Sequence, residues 1–322
     1  MYSYTDPDTG EASEFEEYDG VAIVKMEELS ISAIGSYTTI HDEPSLFVYA
    51  LLNEPLGGPP FFFVTGLAFG FGYNRELVKP PLEQLTSFPL VAQAIRGDGL
   101  EAGAGRETLL AELESLHTYI PPRTGQHFLA VGVKFTTFGL LDSFALLTLE
   151  VGKTLSVNVL GLSTLVLPPA KGGAQATQEP LAELQVALRA SYVPEVGELK
   201  VDGRLTPASY ILSKDCRLSG GFAFSWFKGP HHDDFVVTLG GYHPRFEVPS
   251  HYPVVPRLAF NWPVDRHTHI KGDMYFALCP HTAMAGGSLA TSFQSSDNCP
   301  SVSSDSEGGE YTEYRCFSGM FQ

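Results

Sequence analysis

Apolar and polar residues alternate with a period of two along most of the chain, and this pattern predicts β-strands. In residues 270–278, Met274, Phe276 and Leu278 fall on one side of an extended chain, and Asp273 falls on the other. Such a strand has one face against a core and one face against water. Similar runs occur near residues 21–27, 29–40, 45–53, 61–72, 127–138, 143–151, 154–167, 184–192, 198–205, 208–213, 216–227, 235–242 and 257–263.

Glycine and proline clusters separate these runs. Gly57-Gly58-Pro59-Pro60 and Gly240-Gly241 are two examples. Short, turn-rich connections favour antiparallel pairing between consecutive strands. We therefore predict a mainly β fold over residues 20–293, built as an extended, curved antiparallel meander sheet that is either open or barrel-like.

Residues 80–122 break the alternation and predict a two-helix insertion. Pro80-Pro81 suits the start of a helix, and Leu82 and Leu85 begin an apolar stripe at helical spacing. Each of the two helices has an apolar stripe that must pack against an apolar surface, and the sheet is the nearest such surface. The stripe of the second helix consists of Leu109, Leu110, Leu113 and Leu116.

The run at residues 61–72 has two very different faces. Its odd positions carry mostly large apolar side chains, whereas its even positions include Gly66, Gly70 and Gly72. Glycine inside a strand lowers stability, so a compensating contact is expected on the bare face. One interpretation is close packing of a helix or of backbone. The alternative is a groove for an apolar ligand, to which aromatic residues of later strands would contribute. These aromatic candidates are Phe222, Phe224, Trp226 and Trp262.

The charge of the chain restricts its partners. The 322 residues carry a formal net charge of −17, and such a surface repels phosphate backbones, so we expect no nucleic-acid partner. Seven acidic residues lie within residues 1–20 and five within residues 294–322. We predict an acidic disordered tail over residues 1–19 and a polar disordered tail over residues 294–322.

Other features of the sequence concern its location in the cell. The acidic N-terminal end is unlike a signal peptide, and no apolar run reaches the length of a membrane helix, so we expect a cytoplasmic protein without a transmembrane segment. The four cysteines have no CxxC spacing. This pattern is typical of reduced thiols rather than of disulfides or a zinc site.

Histidines concentrate between residues 231 and 281, where seven of the ten lie. His267 and His269 are two residues apart on a predicted strand, and His231, His232 and Asp233 follow a Gly-Pro turn. These five residues are candidates for a divalent-metal site if the fold brings three of them together. The alternative, which the absence of an HExxH pattern favours, is a set of solvated polar turn residues.

Several blocks of the sequence resemble domain of unknown function 6603. The blocks are residues 45–53, 55–67, 70–75, 238–244 and 270–287, and the resemblance spans residues 30–293. It implies a large β-rich protein of the kind found in bacteria and fungi, with no established activity. It supplies no catalytic residues and no cofactor.

The chain departs from this family pattern after Phe293, where further strands are expected and a polar tail follows. This departure is typical of a truncated or mis-spliced gene product. A sheet edge near residues 270–293 would then lack its neighbour. Unpaired edges promote self-association.

Two functions are therefore compared. The first is a non-enzymatic β-rich scaffold or binding module that holds an apolar ligand, such as a lipid, or a protein partner along a sheet face. The alternative is a metal-assisted enzyme that uses the histidine-rich residues 231–281. The sequence favours the first and identifies no catalytic residue and no cofactor.

Overall fold

The computed structural model describes residues 2–5, 12–25, 30–40, 42–96, 116–168, 180–228, 234–294 and 310–321. β-Strands make up most of these residues and pair in an antiparallel sheet, as the sequence predicts. The chain divides into two units. Unit 1 comprises Met1–Ser163 and Ala187–Leu199, and unit 2 comprises Thr164–Val186 and Lys200–Gln322.

Unit 1 contains a meander in which consecutive strands pair with each other. β3 to β8 follow one another in antiparallel register, and a separate short hairpin pairs β1 with β2. The strands are β1 (Tyr2–Thr5), β2 (Ala12–Phe15), β3 (Glu17–Lys25), β4 (Ser30–Ile40), β5 (Glu43–Leu52), β6 (Phe63–Arg75), β7 (Pro122–Thr137), β8 (Leu141–Val151), β9 (Ser156–Leu167) and β10 (Ala182–Val193), of which β9 ends and β10 begins in unit 2.

The insertion between β6 and β7 is helical, as predicted, but its first element is a 3₁₀ helix. This helix spans Leu82–Ser87, α1 spans Pro89–Arg96, and residues 116–119 form a further helical turn. Pro89 interrupts the hydrogen-bonding ladder between the first two elements and suits the first position of α1. Leu109, Leu110 and Leu113 lie outside the described residues.

The core of unit 1 lies between the helical insertion and one face of the meander. Leu85, Phe88 and Leu90 are fully buried and belong to the same apolar cluster as Phe47 and Tyr49 of β5. The hydroxyl of Tyr49 donates a hydrogen bond of 2.8 Å to the carbonyl oxygen of Leu90. The insertion therefore packs its apolar side chains against the sheet, as the sequence predicts.

Unit 2 is also antiparallel, with some pairings that skip a strand. β15 pairs with both β14 and β17, and β13 pairs with β16. The strands are β11 (Glu198–Leu205), β12 (Tyr210–Ile211), β13 (Ser213–Ser219), β14 (Gly221–Phe227), β15 (Asp234–Leu239), β16 (Leu258–Pro263), β17 (Thr268–Cys279), β18 (Thr282–Gln294) and β19 (Glu310–Phe321).

Both ends of the chain differ from the predicted tails. Glu17–Lys25 forms β3, so the N-terminal sheet begins before residue 20. Glu310–Phe321 forms β19, which pairs with β18 over its whole length. β19 was not predicted because its polar and aromatic residues do not alternate cleanly. Its strand conformation is stabilised by backbone pairing with β18 along its length. With β18 paired, the reason for expecting self-association at this edge is removed.

Candidate functional site

The strands of unit 1 expose one apolar face, although their other face already forms the core. Along β6, Leu67, Phe69 and Phe71 are exposed while the intervening residues are buried. β5, β7 and β8 show the same alternation of buried and exposed positions. We call this exposed side the outer face. Its large apolar side chains are Leu46, Val48, Leu67, Phe69, Phe71, Tyr73, Leu129, Val131, Leu147, Leu149 and Val151.

Cross-strand register arranges the outer face in four rows over β4 to β8. None of the residues in these rows is an aspartate, glutamate, lysine or arginine. Because like neighbours lie side by side across the strands, the exposed apolar surface is continuous rather than scattered. The rows are Ile31, Leu52, Leu67, Val133 and Ala145; Ala33, Ala50, Phe69, Val131 and Leu147; Gly35, Val48, Phe71, Leu129 and Leu149; and Tyr37, Leu46, Tyr73, His127 and Val151.

The last of these rows differs from the others because it carries polar atoms. Tyr18 of β3 pairs with Tyr37 and extends the row by one strand. The rings of Tyr73 and His127 stack with their centroids 4.7 Å apart. Tyrosine combines an apolar ring with a hydroxyl that remains in water. This tyrosine row therefore forms a polar border along one side of an otherwise apolar face.

A cavity of about 310 Å³ opens on the outer face. Six of its nine lining residues lie in the first two rows described above, and the floor is formed where the small side chain of Ala50 lies beside Phe69. The nine residues are Ile31, Ala50, Leu51, Leu52, Leu67, Ala68, Phe69, Val131 and Gly132. A cavity of this size and composition suits an apolar ligand and offers no charged group to bind a charged one.

The predicted groove over Gly66, Gly70 and Gly72 is not open. These glycines lie on the buried side of β6, where a Cβ on Gly72 would overlap the ring of Phe128. A Cβ on Gly70 would lie 3.0 Å from the ring of Tyr49. The bare face is therefore packed, but over Gly70 and Gly72 the contacts are side-chain rings of the neighbouring strands rather than the helix or backbone of the first interpretation.

The aromatic groove candidates lie in unit 2. Phe222 and Phe224 are half-buried on β14, and Trp226 is 41% exposed on the same side. Val237 and Leu278 are exposed and continue this surface across β15 and β17. Trp262 is half-buried on β16, opposite Ile270. Unit 2 thus has an exposed apolar side of its own.

The predicted metal site is only partly within the described residues, because His231, His232 and Asp233 lie outside them. His267 lies in the turn before β17, and its backbone N–H donates to a carboxylate oxygen of Asp265. His269 contacts the side-chain oxygen of Asn261. The structure shows no shared ligand geometry for His267 and His269.

A different histidine lies in a polar cluster of unit 2. Asp234 contacts the imidazole Nε2 of His251 at 2.8 Å and accepts a hydrogen bond of 2.7 Å from the hydroxyl of Tyr252. Burial alone would raise the pKa of Asp234, but these two contacts hold it below its usual value. The cluster borders an open cleft of about 420 Å³ lined by Asp234, Phe246, Tyr252, Cys279, Pro280, His281 and Thr282.

Cys279 is not an activated nucleophile in this cleft. Its side chain is buried, and burial raises the pKa of its thiol. A nucleophilic cysteine needs the opposite shift, which a neighbouring cation normally provides. Cys216 is likewise a free, buried thiol whose pKa is raised by burial.

A second polar cluster lies in unit 1, and two of its members, Glu17 and Asp19, fall in the stretch that the sequence assigns to a disordered tail. Arg75 of β6 is 1% exposed and donates a hydrogen bond of 2.8 Å to Glu17 of β3. His117 has its Nδ1 atom 2.7 Å from Glu17 and its Nε2 atom 3.4 Å from Asp19. Within the described part of the chain, these three carboxylate and imidazole side chains are the group with ligand atoms close enough for a metal ion.

The geometry of this cluster fits a network of ion pairs. Both imidazole nitrogens of His117 face carboxylates, which is the arrangement of a protonated ring between two anions. Burial by itself would lower the pKa of His117, but Glu17 and then Asp19 outweigh it and hold this pKa above its usual value. Arg75 already balances the charge of Glu17, so the cluster is neutral when His117 is protonated.

Asn74 and Arg75, at the end of β6, have structural roles. Asn74 adopts φ 50° at an irregularity in the pairing of β6 with β7. Its side-chain amide donates to the carbonyl oxygen of Pro44, and its side-chain oxygen accepts from the N–H of Gly125. These bonds hold the neighbouring turns in place.

The fold and these sites can now be set beside known proteins. The model of DUF6603, described as a family of unknown function, matches residues 3–299 of the chain. The chain belongs to this family. The DUF6603 match begins earlier than the resemblance read from the sequence, so it includes β3 and the Glu17 cluster. Residues 300–322 lie outside the match.

No curated protein and no solved structure matches this DUF6603 chain. Among the helices that the structure describes, none has both the length and the apolar character that crossing a bilayer would require.

Proposed function

We propose that this DUF6603 protein is a non-enzymatic binding module that holds an apolar ligand on the outer face of unit 1. The observation that supports it is the set of four cross-strand rows without a charged residue, exposed on strands whose other face is already packed. Soluble proteins rarely leave a continuous apolar surface of this kind without a use for it.

The chemistry of the face favours a neutral ligand with an alkyl chain. The cavity beside Ala50 and Phe69 has a size at the lower end of the range for small-molecule sites. The rows contain no lysine or arginine that could bind a carboxylate or a phosphate. The tyrosine row provides hydroxyl groups along one border, where the polar end of an amphiphile would lie.

Binding of 1-decanol, measured by isothermal titration calorimetry below its solubility limit, tests this proposal. We expect saturable binding to the full chain and weaker binding of decanoate, because the face lacks a positive charge to offset its carboxylate. Ala50→Leu should weaken decanol binding by roughly tenfold because it fills the cavity without making the face more polar.

Met274→Ser is the matched control for a polar substitution, Phe69→Ser, in the cavity wall. Met274 is 50% exposed on β17 of unit 2, and Phe69 is 51% exposed on β6. We expect Phe69→Ser to weaken binding and Met274→Ser to leave it unchanged. Equal affinity of the parent chain, Ala50→Leu and Phe69→Ser for decanol would refute the cavity as the site.

The metal-assisted enzyme stays a prediction from the sequence. Metal analysis of protein prepared without a histidine tag tests it. Stoichiometric zinc or another divalent ion that is lost in His267→Ala and His269→Ala would support the enzyme hypothesis. Its absence would leave the binding module as the remaining function.

A further inference from the structure

Two loops of unit 1 meet at one end of the outer face and expose phenylalanine side chains there. One loop, residues 53–62, connects β5 to β6, and the other, residues 138–140, connects β7 to β8. Phe61 and Phe138 are 61% and 67% exposed, and Phe62 is 41% exposed. We call these three residues the phenylalanine tip.

The tip is a single, ordered platform. The backbone N–H of Phe138 donates a hydrogen bond of 2.6 Å to the carbonyl oxygen of Pro60, which joins the two loops. The rings of Phe62 and Phe135 lie with centroids 4.6 Å apart, which fixes one tip residue against β7. Phe138 has φ 52°, a conformation that is unfavourable for a residue with a Cβ. Its large side chain is thus held outward at a local cost.

The tip contains no charge. Residues 55–64 and 135–141 include no acidic or basic side chain, although the chain as a whole has 37 acidic and 20 basic residues. Protein-binding surfaces usually combine an apolar centre with a polar rim. Here an uncharged tip continues into the uncharged rows of the outer face, and the tyrosine row lies on the far side of those rows.

Several backbone groups of the two loops are hydrogen-bonded within the loops. Pro55, Pro59 and Pro60 have no N–H group. Leu56 and Gly57 both donate to the carbonyl oxygen of Val64, at 2.9 and 3.3 Å. Three further N–H groups, those of Phe62, Val64 and Leu140, donate to Pro59, Gly57 and Thr137. Where no water is available, backbone N–H and C=O groups need hydrogen-bond partners within the protein.

We propose that the phenylalanine tip inserts into the apolar layer of a lipid bilayer made of neutral lipids. This proposal goes beyond the proposed function. The tip is continuous with the outer face, but its partner is a lipid bilayer rather than a single apolar molecule, and the residues that would bind are different. The interior of a bilayer supplies an apolar partner for exposed phenyl rings, which suits three phenylalanines on segments without charged residues. The negative charge of the chain favours zwitterionic over anionic lipids.

Flotation of the full chain with phosphatidylcholine vesicles tests the proposal. We expect the parent protein to float with the vesicles. The double variant Phe61→Ser/Phe138→Ser should show a partition coefficient at least about tenfold lower, because it lacks two phenyl rings that would be buried in the lipid. Val254→Ser is the control, since Val254 is 86% exposed in unit 2 and lies outside the tip. It should float like the parent.

The depth of the tip gives a second readout. Phe138→Trp in a Trp226→Phe/Trp262→Phe background leaves one tryptophan, in the tip. Lipids brominated on their acyl chains should quench the fluorescence of this tryptophan. Brominated decanol serves as the control. In the Ala50→Leu background, where the cavity is filled, it should leave the tryptophan fluorescence unchanged. Quenching by bromolipid without blue-shifted emission would contradict insertion.

The outcomes separate this proposal from the decanol site. Loss of flotation in the tip variant with unchanged decanol binding supports insertion by the tip alone. Decanol binding by a parent chain that does not float overturns insertion and leaves the proposed function intact. A tip variant that changes the oligomeric state in solution, while neither protein floats, identifies the tip as a protein interface and overturns the bilayer proposal.

Discussion

At the scale of single residues, the Glu17–Arg75–His117 cluster shows how burial changes the role of a charge. In the sequence, Glu17 and Asp19 are two of seven acidic residues near the N-terminal end. In the fold, Glu17 has its side chain 1% exposed and lies against a buried arginine. Neither partner is near it in the sequence, so no local pattern could distinguish it from its solvated neighbours.

This cluster makes the stability of the protein depend on pH. The pKa of His117 is raised in the folded state because Glu17 and Asp19 outweigh the effect of burial. A raised pKa contributes stability that is fully present below the unfolded value of about 6.5 and is lost as the pH rises through the folded value. We therefore expect the parent protein to lose this contribution as the pH rises above about 6.5.

Urea unfolding of the parent and of His117→Gln measures this contribution. The free energy of unfolding of the parent should exceed that of the variant by about 1.5–3 kcal/mol at pH 6, the scale of a hydrogen bond to a charged group. The difference should shrink by pH 9. Glu17 works in the opposite direction, because its pKa is lowered by His117 and Arg75 against the effect of burial, so its contribution is lost only in acid. A difference that stays constant with pH would show that the pKa of His117 is the same in the folded and unfolded states, and a difference that grows with pH would show that the ring is held neutral in the fold.

At the scale of elements, the bare side of β6 is explained by its neighbours. Gly70 and Gly72 lie beneath Tyr49 of β5 and Phe128 of β7, so the missing side chains are replaced by rings from both sides. The strand sequence predicts two unlike faces. It does not predict which face is buried, because the rings that fill the space belong to other strands.

Gly72→Ala tests this packing. A Cβ at this position would overlap the Phe128 ring, and overpacking of a core typically costs about 1–3 kcal/mol of unfolding free energy. Gly20→Ala, in β3, is the matched control because a Cβ there meets nothing within 4 Å. Chemical denaturation should show a loss for Gly72→Ala only.

A compensating variant makes the test specific. Phe128→Leu removes part of the ring that the new methyl group meets, so the double variant Gly72→Ala/Phe128→Leu should lose less than the sum of the two single variants. Strict additivity would mean that Gly72 is required for another reason, such as backbone conformation.

At the scale of the whole molecule, net charge and the outer face act together on binding. The formal charge of −17 is a property of the full chain, whereas the rows and the tip are uncharged. Electrostatic repulsion from a like-charged surface extends over about one Debye length, roughly 8–10 Å at physiological ionic strength. Glu54 and Asp142 directly flank the uncharged segments of the tip, so contact at the tip brings these two carboxylates near the lipid headgroups.

Vesicle composition tests this effect. Replacing about a third of the phosphatidylcholine by phosphatidylserine should lower flotation severalfold, and added salt should restore most of it by screening. Tighter binding to phosphatidylserine would reveal a basic contact surface and would contradict the assignment of an uncharged tip as the contact.

The sequence by itself determined the class of structure and the family. Period-two alternation between Gly and Pro turns is a local property, so it predicts the strands and their antiparallel order, and the blocks around residues 45–75 and 238–287 indicate the family. The tertiary structure alone decided which side of each strand is exposed. Burial depends on residues that are distant in sequence, such as Tyr49 and Phe128 over the glycines of β6, and this is why the phenylalanine side of β6 belongs to the outer face rather than to the core.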